Sequence, residues 1–135
     1  MNSRDYRTLA EFRYQIRKFL AFSETAAMEH GLNGQQHQLL LAIKGLPEDT
    51  APSIGVLAER LHLRHHTTVE LVDRLCERGC IKREVSTTDR RHVHLRITAR
   101  GDKLLRKLTA IHEKELQSSG PVLLKTLHKL THVKK

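Results

Sequence analysis

Apolar residues recur at steps of three and four from residue 6 to residue 29, where Leu9, Phe12, Ile16, Phe19, Leu20 and Ala27 share one stripe. That period predicts a long amphipathic first helix, ended by His30-Gly31. Asn33 with Gln36 three residues on has the form of a capping box, opening a second helix through Leu39, Leu40 and Ile43. Residues 45–53, GLPEDTAPS, hold two of the three prolines and read as a loop. Ser53 then caps a short helix, IGVLAERL, which ends at His62. In the following helix Thr68, Leu71, Val72 and Leu75 fall within one arc. His66, Val69, Glu70, Asp73 and Arg74 are left on the opposite side. Gly79 suits the cap of this helix, where a left-handed conformation costs glycine little. A short link between two such helices is the helix-turn-helix arrangement.

Beyond Gly79 the period changes to two. Ile81 and Val85 alternate with Lys82 and Glu84, and Val93, Leu95 and Ile97 alternate with His94 and Arg96. Two strands sharing one apolar face are predicted, joined by the polar stretch STTDRRH, which is too long for a tight turn. Thr98 caps a new helix with Gly101 in its first turn, continuing through Leu104, Leu105, Leu108 and Ile111. This helix is expected to end near Ser118-Ser119-Gly120-Pro121. A last helix would then carry Val122, Leu123, Leu127 and Leu130 before the basic tail Val133-Lys134-Lys135. The fold class is mainly α with a small β-hairpin: a winged helix-turn-helix flanked by terminal helices. Paired DNA half-sites about one turn apart need two modules at fixed spacing, so apolar stripes at both ends point to dimerisation helices.

Charge changes the picture of what such a surface meets. The 135 residues include 24 Lys and Arg against 15 Asp and Glu, a formal net charge of +9, and the pI is near 10.0. A polyanionic partner follows, although charge alone would equally suit RNA or an anionic membrane surface. No apolar run approaches the roughly 20 residues that span a bilayer, and MNSRDYRTLAEF lacks the apolar core of an export signal. No membrane partner is expected and the cytoplasm is the default location. Two cysteines spaced four apart make no disulfide framework.

LAERLHLRHHTTVELVDRLCERGCIKRE followed by DRRHVHLRITARG closely resembles the MarR family of bacterial transcription regulators. The family pattern LA…L…T…LVDRL…G…DRR…LT…G is met with its spacing kept. The resemblance runs from about residue 6 to the C-terminus and is most specific at the DRR wing and the I-T-x-x-G that follows. It implies one domain over 1–135, with 6–31 and 102–135 as dimerisation helices and about 32–101 as the DNA-binding region. It also implies a homodimeric regulator, more often a repressor than an activator. Such a regulator occupies a palindromic operator in double-stranded DNA and lets go when a small molecule or an oxidant shifts its two DNA-reading lobes. The alternative is a basic winged helix that binds nucleic acid without sequence preference.

Arg90 and Arg91 are the first candidates for DNA contact, with one of them, Arg91 by preference, in the minor groove. Asp89 would orient the loop, and Thr87 lies in the same wing. Arg64, His65, His66, Thr67, Val69 and Glu70 occupy positions where family members contact bases or phosphates. Here the chain departs from the common pattern, in which Ser is frequent at 64, small residues at 65 and 66, and a basic residue at 70. Glu70 would accept from cytosine N4 or hold Arg74 at i,i+4. Arg74, Arg78, Lys82 and Arg83 are expected at phosphates. His65, His66, His92 and His94 would strengthen DNA binding as they gain charge toward pH 6.

The resemblance also implies a pocket for a small aromatic or phenolic effector, walled by Phe12, Ile16, Phe19, His37, Leu41 and Leu108; the same residues serve equally as plain core. Cys76 and Cys80 are candidates for redox sensing, the other reading being buried structural thiols. His62, His66, His92 and His94 match no zinc spacing, and no metal or other cofactor is expected. No Gly-rich phosphate loop, paired catalytic carboxylates or Ser/His/Asp constellation appears in supporting context, so no catalytic residue is assigned and no enzyme is expected.

Overall fold

The computed structural model describes residues 1–87 and 92–132. In chain order it comprises α1 (Ser3–Glu29), α2 (Gly34–Lys44), α3 (Ile54–Leu61), α4 (His65–Glu77), β1 (Ile81–Val85), β2 (Val93–Ile97) and α5 (Ala99–Thr131). Capping chemistry sets most of these boundaries. The Asn33–Gln36 box, the Ser53 hydroxyl accepting from Val56 N–H and the Thr98 hydroxyl accepting from Gly101 N–H are all present. α1 begins earlier than its apolar stripe, because Asn2 and Asp5 form a second capping box. The stripe itself divides. Phe12, Ile16 and Phe19 are half-buried and Ala27 is buried, but Leu9 and Leu20 face solvent.

The expected break at residues 118–121 does not occur. α5 is one helix of 33 residues with Pro121 inside it. Proline in a helix removes one N–H and crowds the preceding residue's Cβ. Here the preceding residue is Gly120, which has no Cβ to crowd, and the carbonyl that loses its donor belongs to the exposed Gln117. α1 also packs along α5, so tertiary contact supports a helix that local signals would have ended.

α1, α3 and α4 finish alike. Leu32, Leu63 and Cys80 donate N–H to the carbonyls of Ala27, Ala58 and Leu75, each at 2.9 Å, with Gly31, His62 and Gly79 in left-handed conformation. His62, at φ 55°, is the one non-glycine with positive φ among the described residues. A left-handed non-glycine residue costs roughly 1–2 kcal/mol. His62→Gly is therefore expected to raise stability by about 0.5–1 kcal/mol after glycine's own entropic cost. The urea midpoint should move up with an unchanged slope; a lower midpoint would show that the imidazole itself supports the turn.

The hairpin pairs antiparallel in the register Ile81↔Ile97, Arg83↔Leu95 and Val85↔Val93. Its apolar face is covered only at the base. Ile81 and Leu95 are buried, whereas Val85 and Val93 are 58% and 40% exposed because the wing projects past the body of the protein. Leu95 N–H reaches the Pro52 carbonyl at 2.9 Å, tying the wing to the loop before α3. The core lies where α2, α3, α4, the hairpin base and the first half of α5 meet, with Leu39, Leu40, Leu57, Val72, Leu75 and Leu108 fully buried.

Candidate nucleic-acid interface

Three residues separate α3 from α4, and the αL turn at His62 sends α4 off at a new direction. Thr68, Leu71, Val72 and Leu75 anchor α4 in the core, which leaves its other face outward. On that face Arg64, His65, His66, Glu70 and Arg74 are exposed, and Thr67 and Val69 are half-buried. Arg64 occupies the N-cap and its side chain makes no capping bond. The first N–H groups of α4 are thus not taken up by a side chain of the cap, the arrangement in which a helix start receives a phosphate.

Among the described residues Arg64, Arg74 and Lys82 are exposed and have no acidic partner. Glu70 and Arg74 make no ion pair, so the intrahelical role expected of Glu70 is not realised and its carboxylate stays available outward. Arg83 differs from expectation. The strand register puts it on the same face as Ile81 and Val85, so it turns back onto α4, pairs with Asp73 and donates to the Cys76 sulfur at 3.5 Å. Thr87 is exposed at the start of the wing tip, and Asp89, Arg90 and Arg91 lie outside the described residues. Arg78 sits at the opposite end of α4 from Arg64, about 20 Å away at 1.5 Å per residue, beside Gly31. His62 is exposed at the turn, His92 at the wing, and His94 faces Glu84 across the hairpin.

Cys80 is a core residue, 1% exposed, and Cys76 is half-buried. Burial pushes the Cys76 thiol up, outweighing the nearby Arg83 guanidinium, which acts the other way. Neither environment is that of an activated thiolate.

The residues expected to wall an effector pocket are only partly brought together. His37 is 2% exposed and Leu108 fully buried, and Phe19 approaches them, but Leu41 is 42% exposed. At the centre of this group stands His112, which the sequence reading missed. Its ring lies 4.9 Å from that of His37, 5.5 Å from Phe22 and 5.9 Å from Phe19. His112 Nδ1 donates to the Leu108 carbonyl at 2.6 Å, so in the neutral ring Nε2 accepts from Ser23 Oγ at 2.8 Å. The only signal in the sequence was position, four residues after Leu108 on the same stripe.

Burial, and then the facing His112, hold the His37 pKa below the ordinary imidazole value. The unfolded chain therefore takes up this proton more readily than the native one. Stability is complete above the unfolded pKa of about 6.5 and is lost as pH falls through it toward the depressed native value. The expected contribution has a slope of at most ~1.4 kcal/mol per pH unit. Urea midpoints followed from pH 7.5 down to pH 5 should fall more steeply for the native chain than for His37→Gln. Parallel curves would show that His37 is not responsible.

A helix-turn-helix whose second helix presents a polar face, followed by a two-stranded wing, defines a winged helix-turn-helix protein. The model of the MarR family matches residues 30–92, from the residue after α1 to the residue before β2. The match covers 63 of the 135 residues, and no enzymatic family is indicated. No curated protein matches it in sequence. Solved structures share its fold. A MarR family protein from Bacillus stearothermophilus is 20% identical, covering 96% of this chain and 95% of its own, with a TM-score of 0.75. MepR of S. aureus, solved as a DNA complex, is 20% identical with a TM-score of 0.67, covering 90% and 93%. CouR of Rhodococcus jostii, bound to p-coumaroyl-CoA, is 22% identical with a TM-score of 0.66, covering 87% and 88%. No helix among the described residues is long and apolar enough to cross a membrane.

Proposed function

We propose that this chain is a transcription regulator of the MarR family, a homodimeric repressor that reads a palindromic operator and is released by a small molecule. The observation that carries the DNA reading is the outward face of α4, where Arg64, His65, His66, Glu70 and Arg74 surround an N-terminus that no cap side chain closes. In this proposal Thr67 and Val69 pack beside the bases, Lys82 meets phosphate, and Thr87, Asp89, Arg90 and Arg91 carry the wing into the minor groove. Arg83 serves instead to brace the wing on α4 through Asp73. The single domain keeps its three parts, with residues 6–31 and 102–135 joining protomers and 32–101 reading DNA.

Release by a ligand rests on the family and on neighbours of the same fold, among them CouR, which holds p-coumaroyl-CoA. The Phe19, His37 and Leu108 cluster around His112 joins α1, α2 and α5, so a ligand inserted there would change how the DNA-reading part sits on the terminal helices. Redox release has less support, given the buried Cys80 and the raised Cys76 thiol.

Fluorescence anisotropy on duplex from the gene's own upstream region, against scrambled duplex across a salt series, tests the reading. The upstream duplex should bind at least ~10³-fold more tightly than scrambled DNA. Arg91→Ala should remove about tenfold or more of that affinity, one lost contact of 1–3 kcal/mol. Equal binding to both duplexes, set by salt alone, would leave a protein that coats nucleic acid without reading it.

A further inference from the structure

Arg100, Lys103 and Lys107 are spaced three and four apart and make one stripe on α5. The neighbouring stripe is occupied differently: Asp102 there is held by Lys44 at 3.1 Å and by Arg106 at 2.9 Å. The three cations instead meet Arg78 and His30 around a groove of about 260 Å³, with Cys80 and Leu104 also lining it. A glycine lies beside each of the two arginines. A Cβ on Gly31 would stand 2.9 Å from Arg78 Nη2, and one on Gly79 would stand 3.9 Å from the end of Arg100. His30 is fixed at the rim by Nδ1 donating to the Ala26 carbonyl at 2.9 Å.

Among the described residues no carboxylate lines this groove. Among the described residues Arg78, Arg100, Lys103 and Lys107 have no ion-pair partner, whereas Lys44, Arg83, Arg96 and Arg106 each do. Four cations drawn into one concavity repel one another, and a multivalent anion relieves all of them at once. A single carboxylate would leave most of them unmatched. The volume falls just below the range of ligand pockets, which begins at roughly 300 Å³, so it suits a compact anionic head with any organic remainder outside. We propose that this groove binds the pyrophosphate group of a small metabolite. It lies at the rear of α4, some 20 Å along the helix from the proposed DNA-reading end, and does not depend on that reading.

Isothermal titration calorimetry of the full chain with sodium pyrophosphate at about 50 mM salt, a concentration at which charge contacts are weakly screened, is the test. Saturable binding tighter than about 1 mM, at least tenfold tighter than inorganic phosphate, is expected. Lys103→Gln with Lys107→Gln should weaken it at least tenfold, and Arg13→Gln with Arg17→Gln, which removes the same charge from α1, should not. Circular dichroism confirms that both variants fold. No saturable heat, or equal loss in both variants, would overturn the site, the second by reducing it to general attraction toward a chain of net charge +9. Unchanged pyrophosphate binding in Lys103→Gln/Lys107→Gln, together with a salt slope for DNA lowered by about two, would overturn it in favour of a track for the DNA backbone.

Discussion

Gly101→Ala is expected to cost on the order of 3 kcal/mol, at the upper end for overpacking a close-packed site. A Cβ at Gly101 would lie 2.2 Å from the Cys80 carbonyl oxygen and 3.0 Å from both the Cys80 carbonyl carbon and Ile97 Cγ2. Backbone cannot swing aside as a side-chain tip can. The same carbonyl accepts the Thr98 N–H at 3.0 Å, while the Thr98 hydroxyl donates to the Gly79 carbonyl at 2.6 Å. The start of α5, the end of α4 and the base of the wing are therefore locked at one point, and the methyl group must drive them apart. Gly55→Ala is the contrast, because a Cβ there meets nothing within 4 Å. It should stabilise the chain by up to about 1 kcal/mol, the helix-propensity difference. Urea unfolding of the two variants should give midpoint shifts of opposite sign. A Gly101→Ala protein as stable as the native one would mean that α5 can slide past the wing.

Leu124→Asp combined with Leu127→Asp is expected to yield a monomer that binds operator at least ~100-fold more weakly. Leu116, Val122, Leu124, Leu127 and Leu130 on α5 are between 36% and 68% exposed, and α1 adds Tyr6, Leu9 and Tyr14. Leaving so many large apolar side chains in water forgoes about 1.5–3 kcal/mol for each one that could be fully buried, and a second copy of the chain would cover them symmetrically. Placing two carboxylates in that interface opposes its formation. With the protomers apart, the second half-site is no longer bound at high effective concentration, and the avidity gain of 10²–10⁴ is lost. Analytical ultracentrifugation gives the mass and anisotropy the affinity. A variant that stays dimeric with full affinity would assign this face of α5 another role, and a native chain that sediments as a monomer would remove the dimer altogether.

Much of this architecture was legible in the sequence because it is written in local chemistry. The buried face of α4, the caps at Asn33, Ser53 and Thr98, and the alternation in both strands each depend on residues within a few positions of one another. Two local readings misled. Gly120-Pro121 looks like a stop, but Gly120 has no Cβ for the proline ring to crowd, and α1 packs along the same helix. Arg83 looks like a phosphate contact, yet strand pairing rather than composition decides its face, and that face belongs to Asp73.

The order of elements as far as the first half of α5 and the basic character were determined by the sequence alone, since period, caps and charge act over one or two turns of chain. The tertiary structure decided what distant segments bring together. It set His112 against His37 from 75 residues away in the chain, turned Arg83 onto Asp73 of α4, and gathered Arg78 at the end of α4 with Arg100, Lys103 and Lys107 from α5. Burial and electrostatics depend on distance through space, and no spacing along the chain contains that distance until the helices have packed.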